Sequence, residues 1–439
     1  MFKKLATFKG GVHPGDAKEF NRFEKLERLP YPEQIVLPLS QGFGAPSVLE
    51  KEVGDSVKRG ELIASSSGAL GNAVYSPVSG VITDCVSVTL PSSVSSPAVV
   101  IKCSSPFAIP DEDDYVPLEK QQDALQMIKS AGIVGLGGAG FPTHVKYSIP
   151  SDKKVDYLIV NAAECEPYLC ADYRLLVEKP RESLLGALES AKILKTKNVY
   201  IATEDNKKDT LGELSVVVDD INGNGDIHFE IRLMKTKYPQ GDEKNLIKSL
   251  TGREVPSGKL PLDAGCVVSN LGTCYAIYEA VYKQKPLIER VVSVTGEGVN
   301  KPKNVIAPLG SSVQNLLDFC SGLKDNVQKM ISGGPMMGFA FYDKSTPITK
   351  TTSGLTFLTS VCNANSTNCI SCGRCVQACP MNLLPTRLFK LISHGKYKEA
   401  MDENLMDCRE CGCCEFICPS NIKLVQGFKF GKKMGRIKK

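Results

Sequence analysis

The residues best able to do chemistry in this 439-residue chain are cysteines. Seventeen occur, and nine of them crowd between Cys369 and Cys418. The stretch NCISCGRCVQACPMN carries four, separated by two, two and three residues, with a proline after the last. DCRECGCCEFICPSN repeats the pattern about thirty residues later. A step of three lets one tight loop aim Cys369, Cys372 and Cys375 into a single hollow. A helix then carries Cys379 onward, and Pro380 redirects the chain. Cys408, Cys411, Cys414 and Cys418 repeat this, with Pro419 after them. A reducing compartment seldom offers disulfides to so many thiols, so the local crowd reads as a site. Paired CxxC spacing also suits structural zinc. Zinc, however, takes four ligands per ion and has no use for a third in-phase thiolate and a Cys-Pro ending, twice over. No histidine lies between the motifs at ligand spacing, since His394 stands alone. One-electron iron–sulfur chemistry is the better reading. Cys413, where the first motif has Arg374, is expected to pack beside a cluster as a bystander.

The double motif resembles the two-cluster bacterial ferredoxins, in which three sulfurs come from one motif and the fourth from the other. That resemblance implies two [4Fe-4S] clusters. One is held by Cys369, Cys372, Cys375 and Cys418, the second by Cys379, Cys408, Cys411 and Cys414. Such clusters pass single electrons, so a group handling two electrons is expected elsewhere in the chain.

GLGGAGFPTHVK, residues 135 to 146, is the candidate. Gly135, Gly137, Gly138 and Gly140 leave backbone N–H groups bare for a phosphate, and Lys146 adds a point charge. The loop fits neither the dinucleotide fingerprint nor a P-loop, and alone it could be a plain turn. It is followed in order by VNAAECEPY, KYPQGDEKNLI and VVSNLGTCYAI. Each resembles a segment of the flavin-and-NADH subunit of respiratory complex I. The resemblance implies FMN and NAD(H) as cofactors. It places Gly135, Gly137, Gly138, Gly140 and Lys146 around the flavin phosphate. Asn161 and Glu164 fall beside the isoalloxazine ring, and Asn270 and Thr273 line the same pocket. Phe141, Glu166 and Glu243 match positions that contact the nicotinamide nucleotide. The chain departs from that family at Leu136, Ala163 and His144, where the family has Arg, Asp and Gly.

Several elements must position these groups, and the fold class expected is multidomain α/β. Residues 1–115 read as an N-terminal barrel-sandwich domain, with short alternating runs over 33–104 separated by Gly, Pro and Ser turns. EVGDSVKRGELIA and VYSPVSGVI resemble biotinyl- or lipoyl-carrier hairpins without the modifiable lysine, so an unmodified structural unit is expected. SPFAIPDEDDY reads as a linker. Residues 116–285 alternate helix and strand, which suggests a Rossmann-like α/β domain with a largely parallel sheet. Residues 286–349 resemble the soluble-ligand-binding β-grasp module and read as a packing or docking unit. Residues 350–425 read as short helical pieces around the cysteines. The basic tail, 426–439, reads either as a disordered, solvated end or as a patch for an anionic surface or acidic partner. The remaining cysteines, Cys85, Cys103, Cys165, Cys170, Cys266, Cys274, Cys320 and Cys362, are expected to be buried free thiols.

A net charge of +5 is mild and argues against a nucleic-acid binder. No run approaches the eighteen or so apolar residues of a membrane span, and the basic start lacks the apolar core of a signal peptide, so a cytoplasmic protein is expected. The modules together, with FKGGVHP at residues 8 to 14, resemble the C subunit of the Rnf electron transport complex over nearly the full length. This implies a peripheral electron-input subunit on the cytoplasmic side of a membrane-bound, ion-translocating ferredoxin:NAD+ oxidoreductase. Hydride would pass between NADH and FMN with no side chain acting as acid or base, and single electrons would leave through the two clusters. The implied partners are the membrane subunits and the ferredoxin-interacting iron–sulfur subunit. A soluble NADH-dependent cobalamin reductase of a metabolic microcompartment shares most modules and is the rival enzyme reading. A ferredoxin-like adaptor with a purely structural glycine loop is the non-enzymatic one.

Overall fold

A computed structural model describes residues 5–361 and 364–437. Cys362 and the last two lysines of the tail lie outside the described residues. Two small antiparallel sheets form the barrel-sandwich. One orders Gln34–Pro38, Ser95–Cys103, Gly80–Thr89 and Ser56–Val57; the other orders Val48–Leu49, Leu62–Ser65 and Val74–Tyr75. Alternate residues point inward, so Ile35, Leu37, Ile63, Val74, Ile82, Val99 and Ile101 share one core.

The next unit is a four-stranded, all-parallel sheet in the order His228–Met234, Asn198–Glu204, Tyr157–Asn161, Cys266–Asn270. The two central strands bury Leu158, Ile159 and Val160, and Val199, Ile201 and Ala202, because helices cover both faces. The order reverses between Tyr157–Asn161 and Cys266–Asn270. That is the switch point, where the carboxyl ends of parallel strands open a crevice for ligands. Asn161 and Asn270, two of the expected flavin residues, pair directly across it.

A six-stranded mixed sheet follows, in the order Leu26–Arg28, Lys303–Pro308, Glu289–Thr295, Gly354–Leu358, Lys329–Ser332, Phe339–Phe341. Two of its strands come from outside the β-grasp segment. Leu26–Arg28 lies parallel to Lys303–Pro308 at one edge, and Gly354–Leu358 lies parallel to Glu289–Thr295 in the middle. Both pairings join residues far apart in sequence, which local pattern cannot reveal.

The cysteine region is helical: Arg374–Ala378, Pro385–Ser393, Tyr397–Asp402, Cys413–Phe416 and Leu424–Ile437. Here the disordered reading of the tail is corrected. Through Ile437 it is a docked helix with Phe428 and Gly431 buried. The reason is a stripe of Gly427, Gly431 and Gly435 at one-turn spacing. A Cβ at these positions would come within 2.6 to 2.8 Å of Phe389, Ile392 and Met401 respectively. Glycines that weaken an isolated helix here permit close packing.

Candidate functional site

At the switch point the glycine loop rests on the first turn of the helix Leu271–Lys283. Asn270 caps that helix, its side chain accepting from the Thr273 N–H at 3.3 Å. The Leu136 N–H donates to the Thr273 hydroxyl (2.9 Å), and the Gly135 N–H to the Phe141 carbonyl (2.9 Å). A Cβ on Gly137 would stand 2.9 Å from the Asn270 side chain, whereas one on Gly138 would meet open space. The loop is thus close-packed beneath Gly137 and open over Gly138, and neither amide has a protein partner among the described residues. Bare N–H groups beside a helix start suit a phosphate. Lys146 sits nearby, paired at 2.8 Å with Glu243, the first residue of the helix Glu243–Thr251.

Asn161 donates to the Gly241 carbonyl (2.9 Å) and accepts from the Ala163 N–H (3.1 Å), so VNAAECEPY and KYPQGDEKNLI meet here. Glu164 adopts φ +38°, a strained conformation for a non-glycine residue. Its two carboxylate oxygens accept from Asp172 and Tyr173 N–H, each at 3.0 Å, at the start of the helix Ala171–Glu178. Phe141 is 38% exposed and lies against Phe43 of the barrel-sandwich, ring centroids 5.7 Å apart. Glu166 meets the backbone of another unit. One of its oxygens accepts from Met336 and Met337 N–H at 2.9 and 2.8 Å, so it ties the flavin segment to the six-stranded sheet. Burial pushes its carboxyl up to about 7, the two amides pulling in the opposite direction.

Two charged groups behind the loop carry no motif signal. Asp172 accepts from the Asn270 amide at 2.6 Å, and burial, then the nearby Glu164, push its carboxyl up. Arg290 donates to the Leu136 carbonyl at 2.6 Å and to the Thr352 carbonyl at 2.9 Å, and burial lowers it to about 10. Both are found only when the chain is folded, because they reach the loop from other elements.

The cysteine motifs form two matching half-sites. Ser371 and Glu410, Gly373 and Gly412, and Asn382 and Asn421 recur at one constant offset, and all have positive φ. In each half the loop aims an N–H at the leading sulfur: Ser371 to Cys369 and Glu410 to Cys408, both 3.4 Å. The halves interleave. The Thr367 N–H donates to the Ser420 carbonyl (2.9 Å) and the Ser420 hydroxyl to the Asn368 carbonyl (3.0 Å). These bonds bring the start of the first motif beside the end of the second. Conversely, Cys379, Cys408, Cys411 and Cys414, with Cys413 beside them, line one small apolar hollow. Among the described residues no three Cys, His, Asp or Glu side chains converge to hold a lone ion. Thiols ringing an apolar hollow fit a cluster core better than tetrahedral zinc, whose ligands close on one atom. Cys369 and Cys372 are exposed, whereas Cys411 and Cys414 are buried.

The remaining thiols are mostly as expected: Cys103, Cys170, Cys266, Cys274 and Cys320 are buried. Cys85 is exposed instead, because its strand faces solvent there. Cys165 is half-buried and accepts from the Gly241 N–H at 3.2 Å. Cys413 is buried, its sulfur 3.8 Å from the Tyr238 carbonyl on the flavin side.

The two sites touch. Arg409, beside Cys408, donates to Asp242, beside Glu243, at 2.7 Å. Lys244 and Ser257 both reach Asp407, at 3.6 and 2.5 Å. Met336, held by Glu166, approaches Gly412 between two cluster cysteines: a Cβ there would be 3.2 Å from its carbonyl. Nothing in the sequence singles out Asp242, Met336 or Arg409, since a salt bridge between distant segments leaves no local trace.

Four family models match in chain order. They are the RnfC barrel sandwich hybrid domain (residues 6–105), the Nuo51 FMN-binding domain (128–279), the SLBB domain (291–340) and the 4Fe-4S dicluster domain (368–422). The C subunit of the proton-translocating ferredoxin:NAD(+) oxidoreductase complex of Clostridium ljungdahlii is 42% identical, over 98% of this chain and 94% of that one. Its counterpart in the Na(+)-translocating complex of Acetobacterium woodii is 39% identical, over 92% of each. The corresponding protein of the ion-translocating oxidoreductase complex of Rhodobacter capsulatus is 36% identical, over 98% and 84%. Among solved structures, an NAD+-reducing [NiFe]-hydrogenase in the H2-reduced state aligns with TM-score 0.51 and 19% identity. That alignment covers 71% of this chain and 60% of the hydrogenase chain, a likeness of fold alone. With an FMN-binding domain, a 4Fe-4S dicluster domain and full-length relatives of this kind, the chain belongs to the family of C subunits of ion-translocating ferredoxin:NAD+ oxidoreductase complexes.

Proposed function

We propose that this chain is the peripheral electron-input subunit of such a complex, docked on the cytoplasmic face of the membrane subunits. When bound, FMN supplies the exchange of a hydride with NAD(H), and the two [4Fe-4S] clusters supply one-electron carriage. The residues divide that work. Gly137 and Gly138 offer bare amides to the flavin phosphate and Lys146 offers its charge, while Asn161, Glu164, Asn270 and Thr273 fix the floor of the pocket. Phe141 presents an exposed ring, and Glu243 a partly exposed carboxylate, to the nucleotide. Glu166 serves here as a tie between units. No side chain at the switch point need accept a proton for hydride transfer; positioning and water exclusion are the protein's part.

The observation that carries this reading is the direct contact between the two sites, Arg409 to Asp242, with Cys408 and Glu243 as their chain neighbours. It supports an order. The set Cys379, Cys408, Cys411 and Cys414 is the cluster near the flavin, and the set Cys369, Cys372, Cys375 and Cys418 is the outlet. Its exposed Cys369 and Cys372 face a partner, which we take to be the ferredoxin-interacting iron–sulfur subunit. No helix among the described residues is long and apolar enough to cross a membrane.

The test is anaerobic purification followed by iron, flavin and NADH-reduction assays on the parent, Cys379→Ser and Cys418→Ser. The parent should hold about eight irons. Each variant should lose about half, although Cys418 lies in the second motif. NADH should still reduce the cluster left in Cys418→Ser but not the one left in Cys379→Ser. A parent with about four irons, or with zinc, refutes the scheme, and equal reduction in both variants refutes the order.

A further inference from the structure

FKGGVHP has no task in the sites described so far. Its backbone lies in the seam between them. Val12 exchanges both amide hydrogen bonds with Tyr238, at 2.8 and 2.9 Å, while the Gly11 N–H donates to the Ala378 carbonyl at 2.8 Å. Gly10 and Gly11 have φ of +85° and +79°. A Cβ on Gly10 would stand 2.6 Å from the Cys379 carbonyl oxygen, and one on Gly11 2.6 Å from that of Tyr238. Only glycine can hold the flavin segment and the cluster segment this close together.

The seam is apolar. Val12, Tyr238, Ala378, Cys411 and Cys413 pack together with Cys165, Met336 and Ile417 around them. Tyr238 is 2% exposed, and its hydroxyl has no hydrogen-bond partner among the described residues. Its ring packs in one cluster with Cys411 and Cys413 of the cysteine segment, and Cys165 of the flavin segment lies against the same cluster. A buried hydroxyl left without an acceptor costs about 1–3 kcal/mol, and buried polar groups are otherwise almost always satisfied.

We propose that the Tyr238 hydroxyl donates a hydrogen bond to a sulfur of the cluster held by Cys379, Cys408, Cys411 and Cys414, raising its reduction potential, and that FKGGVHP is the brace that sets this contact. This rests on the cluster assignment made above. The hydroxyl keeps its proton. Its dipole stabilises the extra negative charge of the reduced cluster, and hydrogen bonds to sulfur are among the determinants of such potentials. Low polarity in the seam strengthens the effect. Tyr238 is therefore a positioning residue for electron entry.

The experiment is a redox titration of both clusters, followed by electron paramagnetic resonance, in the anaerobic holoprotein and in Y238F. Y238F should keep its iron and flavin. The cluster that Cys379→Ser removes should become harder to reduce by about three- to tenfold, roughly 30–59 mV for one electron, with the other cluster unchanged. Unshifted potentials for both clusters, or a shift confined to the flavin, overturn the assignment of the hydroxyl. A parent lacking the cluster altogether overturns the earlier ligand scheme instead. Should Y238F lose iron, the parent grown with tyrosine carrying 17O at its phenol oxygen decides. Electron–nuclear double resonance of the reduced near-flavin cluster should gain a 17O coupling, and its absence overturns the contact.

Discussion

Replacing Glu166 by Gln separates a carboxyl that serves as a tie from one that serves as a charge. In the parent, one oxygen accepts from the Met336 and Met337 amides, and burial lifts the carboxyl from 4.5 to about 7. At about 1.36 kcal/mol per pH unit, that difference opposes the charged form by roughly 3 kcal/mol. Between those two values the folded state holds a proton that the unfolded chain has released. The stabilising contribution is therefore full below 4.5 and is lost as pH rises through 7. Glutamine keeps the accepting oxygen and cannot ionise. The Glu166→Gln variant should match the parent at pH 5. At pH 8 it should be more stable locally by up to about 3 kcal/mol, the two amide hydrogen bonds to the carboxylate being already included in the shift. The assay is hydrogen exchange at the Met336 and Met337 amides, corrected for intrinsic rates at each pH. A local measure is needed because a multidomain chain with bound cofactors does not unfold in two states. Protection in the parent should fall from pH 5 to pH 8 and stay level in the variant. If the variant instead opens more easily at pH 8 than at pH 5 relative to the parent, Glu166 is a stabilised anion and the reasoning is wrong.

Lys350 is buried, its ammonium donating to the Ala73 and Gly132 carbonyls at 2.7 and 2.8 Å with no carboxylate partner among the described residues, and burial lowers it to about 7. Its contribution is full above 10.5 and is lost as pH falls through 7, so Lys350→Met should cost more at pH 9 than at pH 6.5, read by limited proteolysis between the barrel-sandwich and the parallel-sheet unit. Gly431→Val places a side chain where Ile392 and Leu405 already lie within 2.6 and 3.2 Å. It should cost about 1–3 kcal/mol, expose the C-terminal helix to protease, and free Lys432 from the Cys408 carbonyl and Glu410. In Gly435→Ala the neighbour is the flexible end of Met401, and the helix gain of about 0.8–1 kcal/mol should leave the helix docked.

What the amino-acid order determines here is chemistry that depends on short spacing. Three cysteines at steps of three, a Cys-Pro ending and a loop of four glycines are local facts, and they announce electron carriage and an anion site without any knowledge of the fold. Strand and helix alternation over 116–285 likewise foretells the parallel sheet. Tertiary structure alone decided three things. Asn161 and Asn270, 109 positions apart, pair at the switch point because parallel strands need long crossovers. Glu166 is tied to the Met336 and Met337 amides, 170 and 171 positions away between two strands of the six-stranded sheet, a contact that no local pattern announces. The helical tail escaped the reading because glycine is a poor helix former in isolation, and only Phe389, Ile392 and Met401 supply the surface against which the lack of a side chain becomes an advantage.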